Sequence, residues 1–468
     1  MKTTTVSEVR ARALLPAFVL ALWTVGPGSG VVLAQDAVTL ERDPRPKLFV
    51  TDFAWYRPNQ RPDGGVEAAS LACARAQPRR AFGDVTATDY LSSDGYYGEK
   101  YKRFKSHGID GIAFLVTDRI PDSFDGGNVV QLAQLAAAAD LDFFAYYDLF
   151  VNTAKTSGLY LCLGGGGCRV PPRGERVPFY NLASRPRLYD QLREDFESIA
   201  RHLVVPHMGA EGAGYLMLED VDGARVLDEA GLPRPVIAIT IAREFSDKKA
   251  SLRRLGELMD ELTEVYRGLG LGKPALVLDV IFWVTPRAQA FEHPYDADLL
   301  EAFGDHAVAV TWYGFIDPFR GDLRGITNDG PRPPMAVWAR HLNQHYRLTR
   351  DALAAAGFPL MIWPGGQTQI DTRVADVEGC RDRGLGIFYH LRSAEDWRTM
   401  LTRVLANAWR PPRADGPPLQ TVALVTNAGE WYEIGAIDFT GPDRDGQCSF
   451  PYNWCEALLR VIREEDPY

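Results

Sequence analysis

Short apolar runs rich in Val, Ile, Phe and Tyr recur along the chain, separated by polar stretches of helical period. There are eight: KLFVTDFAWY (47–56), GIAFLVTD (111–118), LDFFAYYDLF (141–150), PVIAITIA (235–242), PALVLDVIFW (274–283), AVAVTWYGF (307–315), FPLMIWPG (358–365) and TVALVTNAGEW (421–431). Near-continuous apolarity over so few residues is the mark of strands buried on both faces, as in a parallel sheet. Between them lie patterns with helical spacing. GEKYKRFKSHG and VVQLAQLAAAAD precede the second and third runs. SRPRLYDQLREDFESIARHL, which opens on Ser and Pro, precedes the fourth. DKKASLRRLGELMDELTEVYRGLG runs from an Asp to a closing Gly, and PMAVWARHLNQHYRLTRDALAAAG and AEDWRTMLTRVLANAW follow.

Eight strands alternating with helices predict the α/β class, as a single (β/α)8 TIM-type barrel. One domain, 35–468, accounts for this pattern, with long loops at 57–97, 151–184, 316–333 and 366–386 placed on the C-terminal face. An open doubly wound sheet is the competing architecture. It calls for a glycine-rich phosphate loop after the first strand, and DFAWYRPNQRPDGG is not one. GLGLG (268–272) precedes a strand instead of opening a helix, so it does not supply that loop either.

In such a barrel the chemistry gathers where the strands end. The first strand brings Asp52, Trp55 and Tyr56 there, and the second Asp118. The third brings Tyr146, Tyr147 and Asp148, the fourth Arg243 and Glu244, and the fifth Asp279 and Trp283. Trp312, Tyr313 and Trp363 follow, and Glu430, Trp431 and Glu433 close the ring. Rings that stack and acids that hydrogen-bond suit a polyhydroxylated ligand. Of these residues, Asp52, Trp55, Tyr56, Tyr147, Asp148, Asp279, Trp312, Tyr313 and Trp431 are the predicted substrate contacts. An acid after an apolar run also serves to cap the next helix, and a Trp at a strand end also serves as packing.

Composition narrows the partners. The N-terminus has a basic region (Lys2, Arg10, Arg12), an apolar core ALLPAFVLALWTV (13–25) and small residues VLA (32–34), the layout of a signal peptide over 1–34. That segment is too short for a comfortable transmembrane span, so a secreted or periplasmic protein with no integral membrane association is expected. Without it the chain carries 48 basic and 60 acidic residues, a net charge of −12. No basic stripe exists to release counterions, which argues against a nucleic-acid partner. The six cysteines form an even set. CLGGGGC (162–168) and CSFPYNWC (448–455) read as two local disulfide loops, which leaves Cys73 with Cys380 by arithmetic. The eight histidines show no HxH or HExxH spacing, and GDVTATDYLSSDGYYG misses the calcium-loop template, so neither a metal nor a cofactor is expected.

The last run turns into Glu430-Trp431-Tyr432-Glu433. Cleaving an acetal between sugars takes two carboxyl groups, one to protonate the leaving oxygen and one to act as base or nucleophile. In an extended strand, residues i and i+3 face opposite sides; if the chain turns at Asn427–Gly429, both acids reach one side. A solvated loop with two glutamates is the other reading of the same residues.

LVTNAGEWYEIGAIDF resembles the terminal strand of glycoside hydrolase family 99, whose pattern is roughly I-T-x-x-N-E-W-x-E-G-x-x-I-E. Thr426, Glu430, Trp431, Glu433 and Ile437 match it, and Asp438 matches conservatively. FAWYRPNQRPDGG, FKSHGIDGIAFLV and FYNLASRPRLYDQLREDFESIARH resemble further segments of that family in the same order. The resemblance implies a retaining α-mannosidase-type enzyme that passes through a 1,2-anhydro sugar. Glu430 would then be the base toward the sugar 2-hydroxyl, Glu433 the general acid/base, and Tyr56 a contact beside the ring. Tyr432 stands where the family often has His, Ile434 where it has Gly, and Asn427 lies two residues further from Glu430. An exported retaining hydrolase of α-linkages in a polysaccharide or glycan is therefore expected, with endo action. A carbohydrate-binding barrel without catalysis and a related α-glucan hydrolase are the alternatives.

Overall fold

The computed structural model describes residues 45–53, 94–106, 108–116, 119–121, 124–147, 161–163, 167–169, 182, 186–209, 213–240, 248–279, 296–311, 335–367, 369–371, 388–390, 394–412 and 416–426. The predicted signal peptide 1–34 and the cysteines Cys73, Cys380, Cys448 and Cys455 lie outside them. All described residues belong to one compact unit, Pro44–Tyr468.

Each of the eight apolar runs contains a strand. In chain order they are β1 (Lys47–Phe53), β2 (Gly111–Val116), β3 (Asp142–Tyr147), and, after a short hairpin β4 (Leu161–Leu163) and β5 (Gly167–Arg169), β6 (Val236–Thr240). β7 (Ala275–Asp279), β8 (Ala307–Thr311), β9 (Met361–Trp363) and β10 (Gly365–Gln367) follow, then β11 (Gln369–Asp371), β12 (Phe388–His390) and β13 (Val422–Thr426). The main sheet runs β10-β13-β1-β2-β3-β6-β7-β8-β9, and all its pairings are parallel. β9 pairs with β8 and β10 with β13, and only Pro364 separates the two. Proline lacks the ladder N–H, so the chain jogs there and changes partner. Counted as one run, β9 and β10 close an eight-position ring, the (β/α)8 barrel read from the sequence.

The described helices between strands are α1 (Asp94–Ser106), α2 (Phe124–Ala138), α3 (Pro186–Ile199), α4 (Lys248–Gly268), α5 (Asp296–Phe303), α6 (Met335–Ala356) and α7 (Ala394–Ala406). Four of them end in the same turn. In α4, Leu271 N–H returns to the Tyr266 carbonyl and Gly270 N–H to Arg267, with Gly270 at φ 78°. Only a residue without Cβ takes that conformation freely, and the turn satisfies the last carbonyls. The same pairs of bonds close α1 around Gly108, α2 around Asp140 and α6 around Gly357. These tight exits make short links into β2, β3, β7 and β9 on the N-terminal face.

Sequence patterning missed several elements. α5 has eight residues, too few to show a helical period. β11 and all of β10 but Gly365 fall in the predicted loop 366–386, and β4 and β5 in the predicted loop 151–184. Cys162 and Cys168 are register partners across the β4–β5 hairpin. Segment 213–235 has only isolated bridges and passes beneath the barrel. Its Gly214–Leu216 portion wedges between the N-terminal ends of β3 and β6. Phe143 N–H donates to Gly214 O, Leu216 N–H to Phe143 O and Val236 N–H to Leu216 O. Just above, the Tyr215 hydroxyl accepts from Ala145 N–H at 3.2 Å and donates to Val236 O at 2.8 Å, after which β3 and β6 pair directly. A side chain thus completes the ladder. Tyr215→Phe should strand both buried backbone groups and cost about 2 kcal/mol. The check is the urea unfolding midpoint, and an unchanged midpoint would refute this bridging role.

Lys47, at the N-terminal mouth, donates to Glu219 at 2.8 Å and Asp142 at 3.1 Å. Burial would lower its pKa, but the two carboxylates outweigh burial and hold it above the ordinary lysine value. This triad ties segment 213–235 to the barrel floor.

Candidate functional site at the C-terminal strand ends

Alternation along each strand decides which residues face the barrel interior and which face the helices. Phe49 and Phe144 lie 5.4 Å apart between ring centres across the interior, and Phe144 meets Trp363 edge-on at 6.2 Å. These rings fix the inner parity of β1, β3 and β9. Register then carries it round: Gly111 lies beside Phe49, Ala238 beside Tyr146, and Thr240, Asp279, Thr311 and Trp363 form one row. A one-residue shift in the β7–β8 ladder, between Leu276 and Val277, turns Thr311 inward beside Asp279.

Asp279 is the predicted contact that this geometry brings into the interior. It is fully buried and accepts a short hydrogen bond from the Tyr146 hydroxyl, which reaches across from β3. The Tyr346 phenol, on α6, accepts from Gly365 N–H at 2.6 Å. Burial raises the Tyr346 pKa, the Gly365 amide opposes this, and the Asp279 carboxylate adds to the rise. Tyr346 therefore stays a neutral hydroxyl.

Two predicted contacts face the other way. Asp52 lies in register with Phe114, on the helix side, and accepts from the Tyr101 hydroxyl of α1 at 2.9 Å. Tyr147 donates to Asp195 of α3 at 2.7 Å and packs its ring on Phe196 at 5.0 Å. Both anchor helices to the outside of the barrel. For the third strand, the inward residue is Tyr146. Trp55, Tyr56, Asp148, Trp312, Tyr313, Glu430, Trp431 and Glu433 lie outside the described residues, as do Asp118, Arg243, Glu244 and Trp283.

The inner row also holds residues that a search for acids and rings passes over. Thr240 donates to the Tyr147 carbonyl at 3.4 Å. Thr311 is 2% exposed and Trp363 1% exposed, and among the described residues the Thr311 hydroxyl and Trp363 indole N–H have no hydrogen-bond partner. Leaving such a group buried and unpaired costs about 1–3 kcal/mol. The sequence signal was available: a Thr closing a Val/Ile run, at the right parity, is a polar group at the barrel rim.

Among the described residues no group of three or more His, Cys, Asp or Glu is arranged to hold a metal ion. No helix among them is long and apolar enough to cross a membrane.

No family model and no curated protein matches the sequence. Solved structures do share the fold. A glycoside hydrolase-like protein superposes with a TM-score of 0.53 at 12% identity, over 91% of this chain and 95% of its own. A family 99 endo-α-mannosidase from Bacteroides thetaiotaomicron gives a TM-score of 0.43 at 11% identity, over 89% of this chain and 96% of its own. A family 26 β-mannanase from Bacteroides ovatus gives 0.42 at 11%, over 91% and 90%. At 12% identity the first of these likenesses is one of fold alone: the chain is a TIM-type barrel, as is the glycoside hydrolase-like protein.

Proposed function

We propose that this protein is an exported glycoside hydrolase that cleaves α-glycosidic linkages of a polysaccharide or glycan with retention of configuration. One observation carries the reading: the interior row Thr240–Asp279–Thr311–Trp363, with Tyr146 on Asp279, is polar and buried at the end of the barrel where loops collect. β13 closes the ring between β10 and β1 and ends at Thr426 on that same side, and Glu430 and Glu433 follow four and seven residues later. A chain with a net negative charge is suited to a neutral ligand such as a glycan.

In the mechanism that the sequence resemblance implies, which needs a linkage whose 2-hydroxyl lies trans to the leaving oxygen, as in an α-mannoside, Glu430 removes the proton of the sugar 2-hydroxyl as O2 attacks C1. The C1–O bond to the leaving sugar breaks, and its oxygen takes a proton from Glu433. Water then opens the anhydro ring at C1: Glu433 takes a proton from the water, and O2 recovers one from Glu430. Two inversions at C1 give retention, within the two-carboxylate logic of glycoside cleavage. Glu430 is thus required as a base and Glu433 as an acid in the same step.

The test is to present the secreted protein with α-mannan, α-glucan and arabinan fragments and follow the products by proton NMR. Release of an oligosaccharide whose first-formed anomer matches the substrate linkage supports the proposal, and oligosaccharides as first products mark endo action. An inverted first anomer removes the mechanism. Tight binding without cleavage makes the protein a carbohydrate-binding barrel, and neither binding nor cleavage sinks the assignment.

A further inference from the structure

We infer that Thr311 and Trp363 form a sugar-hydroxyl subsite on the inner wall of the barrel, an inference that rests on the glycosidase reading and narrows it. The two residues are register partners on the adjacent parallel strands β8 and β9. Their side chains lie on the interior side, in the row that contains Asp279. Both are more than nine-tenths buried, and both polar atoms lack a partner among the described residues. Buried polar groups in folded proteins are nearly always satisfied, so two adjacent exceptions at the functional end of a barrel mark the place of a ligand.

The chemistry of that ligand follows from the groups. Indole N–H only donates, so it needs an acceptor oxygen. The threonine hydroxyl donates and accepts. The neighbouring Asp279 carboxylate only accepts when ionised and disfavours an anion. A cation would face the indole N–H, which has no lone pair to offer. What suits the Thr311 and Trp363 groups beside that carboxylate is a neutral oxygen carrying its own hydrogen, a site that water fills in the free protein and a sugar hydroxyl takes over on binding. Adjacent strands lie about 4.8 Å apart, so the two residues are close enough to serve one sugar unit. Trp363 then acts through its N–H edge: it already meets Phe144 edge-on in the interior and is not a free stacking platform.

The test uses isothermal titration of methyl α-mannoside, methyl α-glucoside, mannotriose and maltotriose into the full chain carrying Glu433→Gln, which prevents turnover. Thr311→Val, Thr311→Ser and Trp363→Phe are added singly. The subsite predicts about three- to tenfold weaker binding for Thr311→Val and for Trp363→Phe, with recovery in Thr311→Ser. It also predicts that Thr311→Val leaves the urea midpoint unchanged or raised, because an unpaired buried hydroxyl is removed. Sugar binding equal to the parent in both Thr311→Val and Trp363→Phe overturns the subsite while wild-type cleavage keeps the hydrolase reading alive. A lowered midpoint in Thr311→Val shows a partner inside the fold and also overturns it. If the parent binds none of the four sugars and wild type cleaves no α-glycan, the glycosidase reading falls and the subsite falls with it.

Discussion

Glu430→Gln and Glu433→Gln should each reduce turnover of an unactivated 1,2-trans α-glycan, such as an α-mannan, by about a thousandfold or more, with the fold intact. Glutamine keeps the size and hydrogen-bonding shape of the acid but neither gives nor takes the proton. Losing the base leaves the 2-hydroxyl a weak nucleophile; losing the acid leaves an alkoxide to depart without a proton. The two losses separate with an aryl α-glycoside, whose phenolate leaves without help. There Glu433→Gln should recover much of its first-step rate, whereas Glu430→Gln should not. The measurement is kcat/KM for each variant on the glycan and on the aryl glycoside. Equal effects on both substrates in both variants would reject the division of labour. Activity within tenfold of wild type in either variant would remove that residue from catalysis altogether.

The barrel was legible because its cause lies in composition over short windows. A strand buried on both faces has to be apolar throughout, so runs such as VIAIT and ALVLD stand out against the helical spacing around them. What the sequence could not show is which way each residue faces at the end of a run. Asp52 and Tyr147 are at strand ends, as expected, yet one step of alternation sends both to the helices and leaves Thr51 and Tyr146 inward. Parity is set by partners: Phe49 on Phe144, and Asp279 beside Thr311 only because the β7–β8 ladder shifts by one residue. Such a shift depends on the pairing of two strands and has no signature in either alone. Segment 213–235 was invisible for another reason. It is held by single bridges, a tyrosine hydroxyl and the Lys47 triad, all of them tertiary contacts without period. The proposal of Glu430 and Glu433 rests on their spacing in the sequence, and that of Thr311 and Trp363 on the geometry of the described strands. The two kinds of reading are complementary.

The inner aromatic stack gives the largest expected effect on stability, through Gly111→Ala. Gly111 opens β2 on the interior side, directly beside Phe49. A Cβ there would overlap the Cε1 and Cζ atoms of Phe49 and lie 2.5 Å from the Asp142 carbonyl oxygen. The ring can turn away only toward Phe144, which already packs against it and against Trp363. The carbonyl cannot move without breaking the β2–β3 ladder, because Asp142 is the register partner of Gly111. Overpacking with no exit costs about 3 kcal/mol, at the upper end for such insertions. The natural control is Gly98→Ala in α1, where the added methyl would meet only Leu135 Cδ2, at 3.9 Å. That change removes backbone freedom from a helix and should stabilise by about 0.5–1 kcal/mol. Urea unfolding of the two variants beside wild type should therefore move the midpoint in opposite directions. Because the stack runs from Phe49 through Phe144 to Trp363, Gly111→Ala should also weaken sugar binding at the far end of the barrel, and Gly98→Ala should not. If Gly111→Ala unfolds with wild type, the interior is not packed on Phe49, and the parity that turns Thr311, Asp279 and Trp363 inward goes with it.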